Sequence, residues 1–221
     1  RGGTVVIPAF AVGRVQILLY HLWMLKNRGR LAATPIFVDS PMAASATDLL
    51  CRHLKDHKFA PVVCKQSCDI ATYVNDVEAS MALSADPTPK VIISASGMAT
   101  GGRVLRHLAG FGPAPRSTIL FAGYQAAGTR GAKLLAGEKE TKTYGEWIQI
   151  RAEIAALPML SAHADADEIL RWLCGFAKPP RRAFIVHGEP AAAEALRVRI
   201  ERELQWEAAV VDPERRYELL A

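Results

Sequence analysis

No stretch of the 221 residues approaches the ~18 consecutive apolar side chains that a membrane-spanning helix needs, and no secretion signal is read at the start. Cysteine is scarce: Cys51, Cys64, Cys68 and Cys174 are the only four. Cys64 and Cys68 make a C-x3-C spacing without the second pair that a four-ligand zinc site requires. They read as buried or free thiols of a reducing compartment, so a cytoplasmic protein without membrane contact is expected. Neither G-x-x-x-x-G-K-[ST] nor G-x-G-x-x-G occurs, which disfavours ATP binding. Methionine is missing from the first position. Arg1-Gly2-Gly3 runs straight into a strand-like segment, so the chain is expected to begin inside a longer protein.

What remains is the balance of an ordinary globular chain, 50% hydrophobic and 22% charged, long enough for one large domain or two small ones. The net charge of +5 fits a polyanionic ligand and equally fits a merely basic surface. Apolar periods alternate between strand-like and helical. Strands are expected over residues 4–7, 36–38, 62–63, 91–93 and 118–121, with helices over 15–26, 45–57, 71–83 and 104–108 between them. Asn27-Arg28-Gly29 reads as a helix C-terminal cap. Repeated β-then-α order with continuous apolar strands argues for an α/β fold, a largely parallel, three-layer sheet. At residues 137–145 the texture turns charged and lysine-rich, and a domain crossing is placed there. Strands near 147–157, 183–186, 208–211 and 217–219 and helices over 167–174 and 191–204 complete the reading. Some seventy residues is thin for an independent core, so this part is expected to need sheet partners from outside the chain.

Four loops between strands and helices are candidate sites. Pro8-Ala9-Phe10-Ala11-Val12-Gly13-Arg14 ends with an arginine at a helix start, where free N–H groups gather; a phosphate ligand and a plain surface arginine stay equally open. Asp39-Ser40-Pro41-Met42 reads as helix capping. The string from Ser94 through Ser96, Gly97, Gly101 and Gly102 to Arg103 reads as an anion-binding turn, because small residues let successive N–H groups approach a phosphate. Gly123-Tyr124-Gln125 through Arg130 brings a ring, an amide and an arginine to the same sheet edge, the ring for stacking on a base or for packing under its loop. His53 and His57, four apart beside Arg52, Lys55 and Lys58, read as a solvated basic face, and His21 and His107 as helix-face residues.

His163, in Ser161-Ala162-His163-Ala164-Asp165, and His187, in Val186-His187-Gly188-Glu189, differ from these. Each follows an apolar, β-prone run and precedes a helical pattern, the strand-tip placement from which an imidazole reaches a metal or a phosphate. Asp165 reads alternatively as the cap of the helix that follows. No further His/Asp/Glu cluster could complete a metal site with them.

In order, Pro8 to Arg14, Asp39 to Ala43, Ser96-Gly97-Met98 to Arg103, Gly123 to Thr129 and the two histidine strings carry a pattern. By it the chain resembles the β-CASP branch of the metallo-β-lactamase superfamily, nucleases that process RNA or DNA. The likeness is to bacterial relatives of the cleavage and polyadenylation endonuclease subunit. It implies a Rossmann-like three-layer β-CASP domain over residues 1–145, followed over 146–221 by the C-terminal part of a metallo-β-lactamase αββα sandwich. It implies a catalytic role for His163 near the scissile phosphate, as general acid or transition-state donor, and makes His187 a zinc ligand. A histidine at the latter position resembles RNA-cleaving members more than the DNA-repair branch. Arg14, Ser96, Gly97, Arg103 and Tyr124 would line the RNA.

In the full-length protein the resemblance implies two zinc ions activating a bridging water that attacks a phosphodiester. The H-x-H-x-D-H signature, a further histidine, the bridging aspartate and the acidic partner of His163 are all missing from this chain. It is therefore expected to bind zinc weakly at most and not to cleave RNA alone. RNA, an N-terminal metallo-β-lactamase half and a homodimer are the expected partners. A non-catalytic RNA-binding or scaffold module and a single-stranded DNA substrate are the rival readings.

Overall fold

The computed structural model describes residues 1–31, 33–160 and 163–218. Two compact units emerge, Arg1–Ser161 and Ala162–Ala221. The first runs β1 (Val5–Pro8), α1 (Arg14–Asn27), β2 (Ile36–Asp39), α2 (Pro41–Arg52), α3 (Pro61–Cys68), β3 (Thr72–Tyr73) and α4 (Val77–Ala85). It continues with β4 (Val91–Ser94), α5 (Val104–Phe111), β5 (Thr118–Ala122), α6 (Arg130–Leu135), β6 (Glu140–Thr143), β7 (Glu146–Gln149) and β8 (Glu153–Leu157). Six strands form one sheet in the order β3-β2-β4-β1-β5-β8, every pair parallel.

The strands are apolar on both faces because both faces are covered. Val6, Ile92 and Ile119 pack with Leu83 of α4, Val104 and Leu108 of α5 and Leu134 of α6. Their neighbours Ile7, Ile93 and Val38 pack with Val15, Leu18 and Leu19 of α1 and with Ala43 of α2. Each such aliphatic side chain, taken wholly out of water, contributes about 1.5–3 kcal/mol. The three-layer α/β architecture is thus the one expected. α1 ends where Asn27-Arg28-Gly29 is read as a cap: Gly29 has φ 65°, and the Arg30 N–H reaches the Leu25 carbonyl at 2.9 Å.

Several expectations are corrected. Val62 and Val63 are not a strand; Pro61 opens α3, its missing N–H harmless in a first turn, and the short strand is Thr72–Tyr73 instead. α2 starts at Pro41 and stops at Arg52, so His53 and His57 share no helix face. Residues 147–157 hold two strands, not one: β7 closes a hairpin on β6, and β8 goes to the main sheet. Tyr144 (φ 51°) and Gly145 (φ 91°) form the left-handed tip of that hairpin. The charged stretch of residues 137–145 holds β6 and the tip of this hairpin, and by its contacts the chain divides into the units Arg1–Ser161 and Ala162–Ala221.

The second unit holds α7 (Ala166–Leu173), β9 (Ala183–Ile185), α8 (Pro190–Arg199), a π-helical turn (Ile200–Leu204) and β10 (Ala208–Val210). Asp165 caps α7 and Glu168 answers it, a reciprocal capping box. β9 and β10 pair in parallel over a small core of Leu170, Ile200, Trp206 and Ala208. Tyr217 and Glu218 are not in a strand, and Leu219 lies outside the described residues, as do Ser161 and Ala162 of the first histidine string. Among the described residues no helix is long and apolar enough to cross a membrane.

Candidate functional site

Three of the four expected loops converge at the carboxyl edge of the main sheet. Pro8 and Ser94 stand in register, so the loops after β1 and β4 leave side by side. β1 connects toward β2 on one side and β4 toward β5 on the other, so the two loops diverge at a switch point, where open α/β sheets accommodate ligands. Gly97 touches the first loop so closely that a Cβ would lie 2.9 Å from the Phe10 nitrogen. The Gln125 side chain donates to the Gly97 carbonyl at 3.1 Å, tying in the loop after β5. The Gln125 amide is read at this edge from the sequence; what the sequence does not show is the neighbouring loop that it bonds.

Arg14, at the first turn of α1, lies against this junction, its Nη2 3.4 Å from where a Cβ on Gly123 would stand. Its Nε and Nη1 are buried and donate to no described acceptor. Burial pulls the Arg14 pKa below the ordinary arginine value, yet a guanidinium keeps its proton at neutral pH. A charged fork with unmet donors, a few ångströms from glycine turns, suits a phosphate oxygen. Tyr124 stands 63% exposed beside it, and Phe10 and Val12 are exposed on the neighbouring loop.

Ser96 and Arg103 do a different job from the expected one. The Ser96 hydroxyl accepts the Thr100 and Gly101 N–H groups at 3.2 and 3.3 Å, holding its own loop in shape. Arg103 donates through Nη1 to Asp39 Oδ1 (2.7 Å) and the Val74 carbonyl (3.0 Å), and through Nη2 to the Asn75 carbonyl (2.7 Å). It clamps the loop to β2 and β3 rather than facing a ligand. Ser40 and Pro41 cap α2 as read, the Ser40 hydroxyl accepting the Ala43 N–H at 3.2 Å. Asp39, however, is the centre of a buried polar cluster that capping does not explain.

His107 is fully buried, not a helix-face residue, and its Nε2 lies 2.7 Å from Asp39 Oδ2. Its Nδ1 meets the Ser84 hydroxyl at 2.9 Å, and Ser84 in turn donates to the Ser80 carbonyl. The Ser80 hydroxyl donates to Asp39 Oδ2 at 2.6 Å. Burial pushes the Asp39 carboxyl up, but hydrogen bonds from His107, Ser80 and Arg103 outweigh it and hold it below the ordinary carboxylate range.

In the second unit, His163 lies exposed just ahead of the capping residue Asp165. His187 is exposed, two residues beyond β9, with φ at 63°. A left-handed backbone is uncommon for any residue but glycine, though histidine tolerates it better than most. Among the described residues the only group of three or more His, Cys, Asp or Glu side chains able to share an ion is Cys51, Cys64 and Cys68. The described residues around His187 do not complete a zinc centre.

The sequence that builds these two units is similar to known proteins over most of its length. Residues 15–134 match the Beta-Casp domain, and residues 147–211 match the Zn-dependent metallo-hydrolase RNA specificity domain. The chain belongs to the β-CASP family. It is 37% identical over 209 residues to ribonuclease TTHA0252 of Thermus thermophilus, covering 89% of this chain and 46% of that protein. To an RNase J-like protein of Methanocaldococcus jannaschii it is 32% identical over 190 residues, 86% of this chain and 44% of that one. To the transcription termination factor FttA of Pyrococcus abyssi it is 31% identical over 216 residues, 91% of this chain and 33% of that one. The chain thus spans less than half the length of these relatives.

Proposed function

We propose that the chain is the β-CASP and RNA-specificity part of a zinc-dependent RNA phosphodiester hydrolase. The observation that carries this reading is the Arg14 guanidinium held against Gly123 at the loop junction, with the exposed Tyr124 ring next along the same loop. A phosphate would pair with the guanidinium charge, and a neighbouring unstacked base would stack on the ring. The two family matches, broken between residues 134 and 147, support a β-CASP domain over 1–145 and a metallo-β-lactamase portion over 146–221.

In this reading His187 supplies one ligand to a zinc centre completed by an N-terminal metallo-β-lactamase half. His163 donates a proton or hydrogen bond on the leaving-group side. Two ions rather than one and a homodimer follow from the family resemblance, and a cytoplasmic location from the free thiols.

Fluorescence anisotropy with a single-stranded RNA tests the interface on this chain. Arg14→Ala should weaken binding about tenfold and lower the salt dependence by about 0.7 in log–log slope, one phosphate contact fewer. Unchanged affinity and slope would remove the interface. In the full-length protein His187→Ala should reduce both metal occupancy and rate, and His163→Ala the rate with less metal loss. RNA binding without hydrolysis by the full-length protein would favour the scaffold alternative.

A further inference from the structure

We infer that Cys51, Cys64 and Cys68 form a binding site for one thiophilic cation of the Zn2+ and Cu+ class, separate from the histidine strings. Cys51 comes from the last turn of α2, and Cys64 and Cys68 lie one helical turn apart on α3, the helix packed beside it. Cys51 Sγ is 3.7 Å from Cys64 Sγ and 3.2 Å from Cys68 Sγ, and all three sulfurs lie within 4.8 Å of one another. Tetrahedral zinc, with Zn–S near 2.3 Å, sets sulfurs about 3.8 Å apart. The tightest pair need only open by roughly half an ångström. Sequence spacing shows Cys64 and Cys68 as an incomplete pair; folding brings the third thiol from thirteen residues upstream of Cys64.

The surroundings suit a thiolate cluster. Cys51 and Cys68 line a cavity of about 280 Å3, which also touches Thr47, Asp48, Asp69 and Tyr73, so an ion has a way in and water has room to be a fourth ligand. His57 Nε2 lies 3.8 Å from Cys64 Sγ and 3.1 Å from the Leu50 carbonyl, while its Nδ1 accepts the Phe59 N–H. That last bond leaves the ring proton on Nε2, directed between the carbonyl and the sulfur. His57 is thus a hydrogen-bond donor to a thiolate at Cys64, not a ligand and not part of a solvated basic face. All three cysteines are free. Burial, then proximity to Cys51, pushes the Cys64 and Cys68 thiols up. Each thiol that ligates releases its proton to solvent, and no oxidant or reductant takes part. Soft thiolates select Zn2+ and Cu+ over harder cations.

The test is a titration of the reduced 221-residue chain, oxygen-free, in a Cys174→Ser background. One arm uses Co2+ as a reporter for the zinc site and then Zn2+ to displace it. The other uses Cu+ in competition with a chromophoric chelator. Expected is one equivalent bound in at least one arm, with a thiolate-to-metal charge-transfer band in the Co2+ arm if that ion binds. The same ion should protect Cys51, Cys64 and Cys68 from alkylation. Cys51→Ser should raise the dissociation constant more than about 100-fold, beyond what loss of an outer partner costs. His187→Ala should leave it unchanged. Cys51 is half-exposed, and circular dichroism checks that its variant folds; the unsubstituted chain decides the matter if it does not. Binding without thiol protection in both arms, binding that survives Cys51→Ser, or failure of both ions to bind would overturn the site.

Discussion

Replacing Asp39 with alanine removes the shared acceptor of His107, Ser80 and Arg103 at one stroke. His107 is wholly buried, and the Arg103 side chain is only 18% exposed, so neither can recover its bond from bulk water. Removing one partner of a buried ionic pair costs about 3–5 kcal/mol, because the other is left without a counter-charge. For a unit of this size that is a fall of roughly 6–20 °C in Tm. Urea unfolding by circular dichroism gives the free energy, and hydrogen exchange in β4 and α5 assigns the loss to the first unit. Arg103→Met should be milder alone, and the double variant should show coupling of at least about 1 kcal/mol. The loss should also depend on pH with a definite sign. The Asp39 pKa is lowered by folding, so its contribution is complete above the ordinary carboxylate value near 3.9 and is lost as pH falls through the lower folded-state value. The gap between wild type and Asp39→Ala should therefore close in strong acid. A loss below about 1 kcal/mol, additive single changes, or a gap that widens below about pH 4 would refute the reasoning.

Gly97→Ala should destabilise the first unit by about 1–3 kcal/mol, since its Cβ would press on the Phe10 backbone, and should weaken RNA binding with it; thermal unfolding and anisotropy read the two effects. Arg14→Met should leave stability unchanged or raise it by up to about 1 kcal/mol, because it removes buried donors that nothing satisfies; a clear fall in Tm would mean those donors are met in the folded chain. His187→Gly should stabilise the second unit by about 1 kcal/mol by relieving the left-handed backbone; a loss in urea unfolding would show that the imidazole itself holds the turn.

The layered sheet was legible because its signal is local: apolar runs of strand length alternate with helical periods, and Asn27-Arg28-Gly29 marks the end of the first helix. Val62 and Val63 misled because β-branched pairs favour strands on average, while a single proline at the head of the run sets a helix going. The junction around Gly97 was legible as small residues and nothing more, since the identity of what presses on a glycine comes from another strand. Asp39 and His107 were missed for the same reason, sixty-eight residues apart in sequence and 2.7 Å apart in space. Arg103 was read as a phosphate contact, and its bond to Asp39 was not legible, because an arginine beside glycines looks alike whether it holds a phosphate or a carboxylate. The third cysteine of the thiol cluster belongs with these: helix packing, not spacing, brings it in.

The contact of Gly97 with the Phe10 backbone, and the Gln125 bond across it, make three loops from three strands behave as one plate. A surface of this kind has its shape before any ligand arrives, so association need not pay to order it. Relatives that vary the exposed side chains on such a plate, as at positions 10, 12 and 124, could change which strand is gripped while leaving its curvature intact. Recognition can then diverge quickly on a backbone that hardly moves.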